Sequence, residues 1–208
     1  ENTSGPLGQG HTYAVGAAIA AKFLQARLGA EVMSQTIYAY ISDGGVQEEI
    51  SQGAGRVAGT LGLDNLIMFY DANNVQLSTT VEEVDTEDVQ KKYEAWGWKV
   101  LHINGNDVAQ IRAALTEAKA EKQRPTLIIG DTLMGKGAMG PDQSSYENKV
   151  STHGQPLTAA GASIAETIKN LGGDPEHPFA VFPEVEALYA KRRAELEAIM
   201  VERRAVKK

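Results

Sequence analysis

The chain has 208 residues, enough to bury a core of its own, and its 42% hydrophobic and 23% charged composition is that of a folded globular protein. A net charge of −7 argues against nucleic acid held by charge alone, and no apolar run approaches the roughly 20 residues that cross a bilayer. No nucleic-acid or membrane partner is expected on those two grounds. Without cysteine there are no disulfides, thiolate metal sites or thiol nucleophiles, which fits a reducing compartment, and we expect a cytoplasmic location.

Gly5-Pro6-Leu7-Gly8-Gln9-Gly10 reads as a loop, because proline lacks a donor and glycine admits positive φ. Residues 11–28 read as an Ala-rich buried helix with Val15, Ala18, Ile19 and Phe23 on one face, closed by Gly29. A β-rich run at 36–41 stops at Ser42-Asp43-Gly44-Gly45, and residues 46–61 read as one helix. The apolar strand at 66–70 is broken by Asp71-Ala72-Asn73-Asn74. Thr86 is expected to cap a helix opened by Asp88 and Val89 that stops at Gly97. A strand at 98–103, an amphipathic helix at 108–119 and a strand at 126–130 follow. Leu157, Ile164, Ile168 and Leu171 mark one further helix. Pro183 opens a last, charged helix whose Arg203, Arg204, Lys207 and Lys208 end reads as solvated.

Apolar strands alternating with helices indicate an α/β domain, a parallel sheet with helices on both faces. Residues 1–157 make up this domain and 158–208 a helical C-terminal extension. The polar stretch 135–154 is a long loop, and long loops inside compact domains are usually functional or mobile.

In an open parallel sheet ligands sit outside the carboxyl ends of the strands, here residues 42–45, 71–77 and 131–153. Two familiar patterns in the third place fail on context. Gly130 to Lys136 copies most of a P-loop, but Gly137 stands where a magnesium-holding Ser or Thr belongs, and no helix follows. Gly135, Gly137 and Gly140 spell a dinucleotide fingerprint that Pro141 interrupts. Asp43 and Asn73 are more telling, since each follows a strand and both emerge at one sheet edge. A carboxylate, an amide oxygen and a nearby main-chain carbonyl are hard donors that suit magnesium or calcium sharing a diphosphate. Ordinary turn chemistry also puts Asp and Asn at strand ends.

Gly5-Pro6-Leu7-Gly8-Gln9-Gly10, Ser42-Asp43-Gly44-Gly45-Val46-Gln47-Glu48 and Phe69-Tyr70-Asp71-Ala72-Asn73-Asn74 resemble the transketolase family in order and spacing. Lys92-Tyr93-Glu94-Ala95-Trp96-Gly97-Trp98 and Thr152-His153-Gly154-Gln155-Pro156-Leu157 match as well. The resemblance implies a thiamine-diphosphate-binding fold, incomplete at its N-terminus, and the opening Glu1 fits a processed chain or a fragment. It implies thiamine diphosphate and Mg2+ (or Ca2+) as cofactors, with Asp43, Asn73 and the Val75 carbonyl as metal ligands. The Gly44 amide would face the diphosphate, Gly5 and Leu7 the aminopyrimidine, and Leu77 the thiazolium. Burial alone would equally explain either leucine. Glu48 matches a glutamate of the family's carboxylate network at the subunit interface, although a helix-start charge is the plainer role. His153 matches a histidine near the diphosphate and the reacting carbons, whereas His11, His102 and His177 match no role. Ser42 departs from the family's first Gly.

The implied activity is transfer of a two-carbon ketol unit from a ketose phosphate to an aldose phosphate in the pentose phosphate pathway. The family's upstream histidines and the glutamate of its following domain are not in this stretch, so activity is expected to need further segments or a partner chain. A homo-oligomer, or a complex with a chain carrying those domains, is implied. A deoxyxylulose-phosphate synthase, a dihydroxyacetone synthase and an inactive cofactor-binding fragment stand as the other readings.

Overall fold

The computed structural model describes residues 3–206; Glu1, Asn2 and the tail residues Lys207 and Lys208 lie outside the described residues. Four strands, β1 (Ile37–Ser42), β2 (Leu66–Ala72), β3 (Lys99–Asn104) and β4 (Thr126–Asp131), form one parallel sheet in the order β1-β2-β4-β3. The register pairs Ser42 with Asp71, and Ala72 and Asn104 with Asp131, so the carboxyl ends finish nearly flush.

Period-two alternation divides the sheet between two cores. Leu66, Met68 and Tyr70 of β2 with Leu127 and Ile129 of β4 face helix α1 (Gln9–Leu28), helix α3 (Glu49–Thr60), Tyr93 of helix α4 (Val89–Ala95) and Trp98 just after it. Ile67 and Ile128 face the opposite way, onto Ala114 and Ala118 of α5 (Val108–Ala120). Helices therefore cover both faces, as the unbroken apolar runs of β2 and β4 require. The flanking strands β1 and β3 are less apolar, and Tyr38 and Tyr40 of β1 face outward.

Small residues set the helix spacing. Ala18 of α1 and Ala58 of α3 are fully buried, and Trp98 Nε1 donates to the Gly55 carbonyl at 2.8 Å across a surface on which a Cβ at Gly55 would press on the Trp96 ring at 3.0 Å. The buried stripe of α1 is His11, Ala14, Val15 and Ala18, at helical spacings of three and four. Ile19 and Phe23, expected on that stripe with Val15 and Ala18, are exposed instead.

Four boundaries differ from expectation. Helix α1 already starts at Gln9, so Gln9 and Gly10 of the segment read as a loop are helical. The helix expected over 46–61 is two, α2 (Asp43–Gln47) and α3, because Glu48 is extended (φ −65, ψ 130) and its carbonyl accepts the Gln52 amide to start α3. Asp88, not Thr86, caps α4, its side chain accepting the Lys91 amide at 2.9 Å. Only residues from Ile164 onward form α6 (Ile164–Asn170); Leu157 lies in the turns before it, and Ser163 caps the helix. The last helix, α7 (Pro183–Ala205), buries none of its residues.

Candidate functional site

Asp43 opens α2 where the chain leaves β1 and is only 2% exposed. Its Oδ1 accepts the Tyr70 hydroxyl at 2.6 Å, and its Oδ2 accepts the Asn73 amide at 3.2 Å. Both donors are neutral. No positive side chain contributes to its ionisation, and burial raises its pKa against the lowering hydrogen bonds from Tyr70, Asn73 and Asn74; the charge of Asp71 pushes the same way as burial. Among the described residues no lysine, arginine or histidine pairs with it. A buried carboxylate without a compensating cation is costly, and a bound divalent ion would supply that charge.

Asn73 stands at the end of β2 in a tight turn. Its Oδ1 accepts the Val75 amide at 3.0 Å, and Asn74 adopts φ 61, a conformation asparagine tolerates better than most residues. An amide oxygen has two lone pairs, so one remains for a cation. Val75 is buried and bridges antiparallel to Thr80, which anchors the far side of the turn. The Asp43 carboxylate and the Asn73 backbone thus meet at one strand edge, with the Val75 backbone two residues on. The donor set is all hard oxygen, which fits Mg2+ or Ca2+.

Two further segments close on this edge. A Cβ on Gly44 would lie 3.3 Å from Leu7 Cδ1, so the Pro-Gly loop lies over the start of α2. A Cβ on Gly154 would lie 2.9 Å from Leu77 Cδ2, which brings the His153–Gly154 corner to the turn after β2. Neither leucine is in the core: Leu7 is 57% exposed and Leu77 is 72% exposed. Their exposure removes burial as the explanation for them. His153 is half-buried, and its Nδ1 is buried without a hydrogen-bond partner. Glu48 is exposed and lies beside Gly8. Gly5 has no neighbouring atom within 4 Å of where a Cβ would be.

The two misleading glycine patterns resolve without a ligand. Residues 133–140 turn back on themselves, and the Gly137 amide donates to Glu147 Oε1 at 2.8 Å, a protein carboxylate in place of a phosphate. His102 and His177 pair with Asp131 and Asp174 near the surface. His11 is buried against Ser51.

Tyr70 and Gln76 were not singled out by the sequence. Tyr70 is a polar tip at the end of an otherwise apolar strand, the one signal that could have marked it. Gln76, directly after Val75, buries an Nε2 without a partner, and nothing in the sequence separates it from an ordinary loop glutamine.

Residues 1–205 match the transketolase, thiamine diphosphate binding domain family. The chain belongs to this family. Transketolase from Treponema pallidum is 38% identical over 198 residues, covering 94% of this chain and 29% of that protein. Transketolase 1 from Pasteurella multocida is 44% identical over 161 residues, covering 76% of this chain and 23% of that protein. Among solved structures, transketolase from Leishmania mexicana superposes with a TM-score of 0.84 at 32% identity, over 98% of this chain and 29% of the other. Transketolase from Pichia stipitis, in a complex with sedoheptulose-7-phosphate, gives 0.83 at 32% identity, over 97% of this chain and 29% of the other. The transketolase-family chain described here therefore spans less than a third of the length of these relatives.

Proposed function

We propose that this chain anchors the diphosphate of thiamine diphosphate through a divalent cation, as part of an enzyme that moves a two-carbon ketol unit from a ketose phosphate to an aldose phosphate. The observation that carries this reading is the buried Asp43 carboxylate, which has no protein cation and stands against Asn73. Asp43, Asn73 and the Val75 carbonyl would hold Mg2+, with Ca2+ as a substitute of the same hard-oxygen preference. Gly44 lacks the side chain that would stand between the α2 backbone and a diphosphate. Leu7 and Gly5 would line the aminopyrimidine end and Leu77 the thiazolium, consistent with two large apolar side chains left exposed at the strand edge.

When bound, the thiamine group supplies the electron sink on which a carbon–carbon bond beside a carbonyl can break. The chain's own part is to hold and orient. His153, with its unpartnered buried Nδ1, is the group we assign to proton transfer or substrate positioning. We assign Glu48 to a carboxylate network completed by another subunit, since it faces outward at the start of α3. Turnover is read as needing further segments or a partner chain, in a homo-oligomer or a mixed complex, with sugar phosphates as substrates. The relatives' greater length and the sugar-phosphate complex of the Pichia stipitis enzyme support this reading. We assign residues 1–157 to the cofactor unit and 158–208 to the helical extension, and place the protein in the cytoplasm.

Calorimetry with thiamine diphosphate and Mg2+ tests the anchor. The 208-residue chain should bind the pair, and Asp43→Ala should abolish the metal-dependent heat. Binding that is indifferent to Asp43→Ala would refute the assignment.

A further inference from the structure

Within the proposed metal site, and resting on that reading, we propose that the Tyr70 hydroxyl is a positioning residue: it holds the Asp43 carboxylate so that a single oxygen reaches the cation, which favours Mg2+ over Ca2+. Tyr70 is 6% exposed and belongs to β2, paired on both sides, to Ile41 of β1 and to Ile129 of β4. Its ring shares the sheet face of Leu66 and Met68 in the larger core, so neither backbone nor ring is free to swing. A phenol, with an ordinary pKa of about 10, is a donor at neutral pH.

The bond from that fixed hydroxyl to Asp43 Oδ1 is 2.6 Å long. It takes one lone pair of Oδ1 and fixes the rotation of the carboxylate, while Oδ2 accepts the longer bond from the Asn73 amide at 3.2 Å and points toward the Asn73 turn. With the carboxylate's rotation fixed by the short bond to the phenol, turning both oxygens onto one cation is disfavoured. Mg2+ demands compact octahedral geometry and takes carboxylates through one oxygen; Ca2+ accepts six to eight ligands and two-oxygen carboxylates readily. Removing the hydroxyl frees Oδ1 to turn toward the ion. That change should weaken Mg2+ binding and leave Ca2+ binding less affected. Partners that orient a metal ligand typically change metal affinity by about 10- to 100-fold.

The test is titration of the 208-residue chain and its Tyr70→Phe variant with Mg2+ and, separately, Ca2+, at saturating thiamine diphosphate, followed by calorimetry. The expected result is a fall of about tenfold or more in Mg2+ affinity with a smaller fall for Ca2+. An unchanged Mg2+ affinity, or equal losses for both ions, overturns the inference while leaving the site itself standing. A wild-type chain that binds neither ion overturns the site and the inference with it. A second measurement needs no variant: the Tyr70 hydroxyl proton, followed by NMR in the wild type, should remain bonded to Asp43 when Mg2+ is added, and its release on metal binding overturns the proposal.

Discussion

His11 offers a pH test of the α1–α3 junction, which it joins through Ser51. The imidazole is 3% exposed, its Nδ1 lies 2.6 Å from Ser51 Oγ, and Ser51 is itself buried. Burial alone lowers its pKa from 6.5 to about 4. The neutral ring is therefore the folded form, while the unfolded chain takes up a proton at its ordinary pKa. Stability from this residue is fully present above pH 6.5 and is lost as pH falls toward 4, where the folded state is also protonated. A shift of this size corresponds to about 3 kcal/mol across that window. Other carboxylates titrate near its lower end, so the absolute loss is not diagnostic and a comparison is needed. Urea unfolding of the wild type and of His11→Gln, which keeps a polar partner for Ser51 and cannot be charged, should be run from pH 7.5 to pH 4. The wild type should lose about 3 kcal/mol more than the variant. Parallel pH profiles for the two proteins would refute the reasoning, as would an NMR titration of His11 with a midpoint near 6.5.

Two predictions concern stability alone. Gly59→Ala should destabilise by about 3 kcal/mol or more, although alanine normally stabilises a helix interior by up to about 1 kcal/mol, because the added Cβ would stand 1.8 Å from the Trp96 carbonyl oxygen. A raised urea midpoint for this variant would show that α3 is not pressed against the corner at 96–98. Asp88→Ala should cost about 1 kcal/mol by leaving the Lys91 amide at the start of α4 without its acceptor. Thr86→Ala should cost almost nothing, and the reverse order in thermal unfolding would return the cap to Thr86.

What was legible in the sequence follows from period and punctuation. The strands of the sheet centre are continuous apolar runs, so β2 and β4 could be read as covered on both faces, and alternation with helices gave a parallel sheet. Asp43 and Asn73 were legible for a related reason. Strand ends in a parallel sheet share one edge, so residues just past β1 and β2 emerge on the same side, and the Asn73 backbone amide does reach Asp43 Oδ2. The features that escaped depend on which way a side chain turns after the backbone is placed. Leu7 and Leu77 could be core or ligand-lining on composition, and only their exposure separates the two. The break at Glu48 is invisible to helical periodicity because helix resumes on the next residue with its carbonyl as the first acceptor. Thr86 and Asp88 are both good caps, and the choice between them rests on which oxygen meets an amide three residues on.

Tyr70 carries this argument furthest. Hydrophobic patterning assigns it to the core, and that is where its ring lies, so the pattern is satisfied and gives no reason to look again. Its chemistry resides in a single oxygen at the tip, which reaches Asp43 because Ile41 and Tyr70 are register partners and Asp43 begins a helix two residues after Ile41. A shift of one residue in that register would turn the ring to the other face of the sheet and leave the carboxylate with backbone donors alone. The pairing of β1 with β2 is therefore as much a part of the proposed metal site as the carboxylate is. A substitution that disturbs the register, far from any ligand, should weaken metal binding in the same sense as Tyr70→Phe.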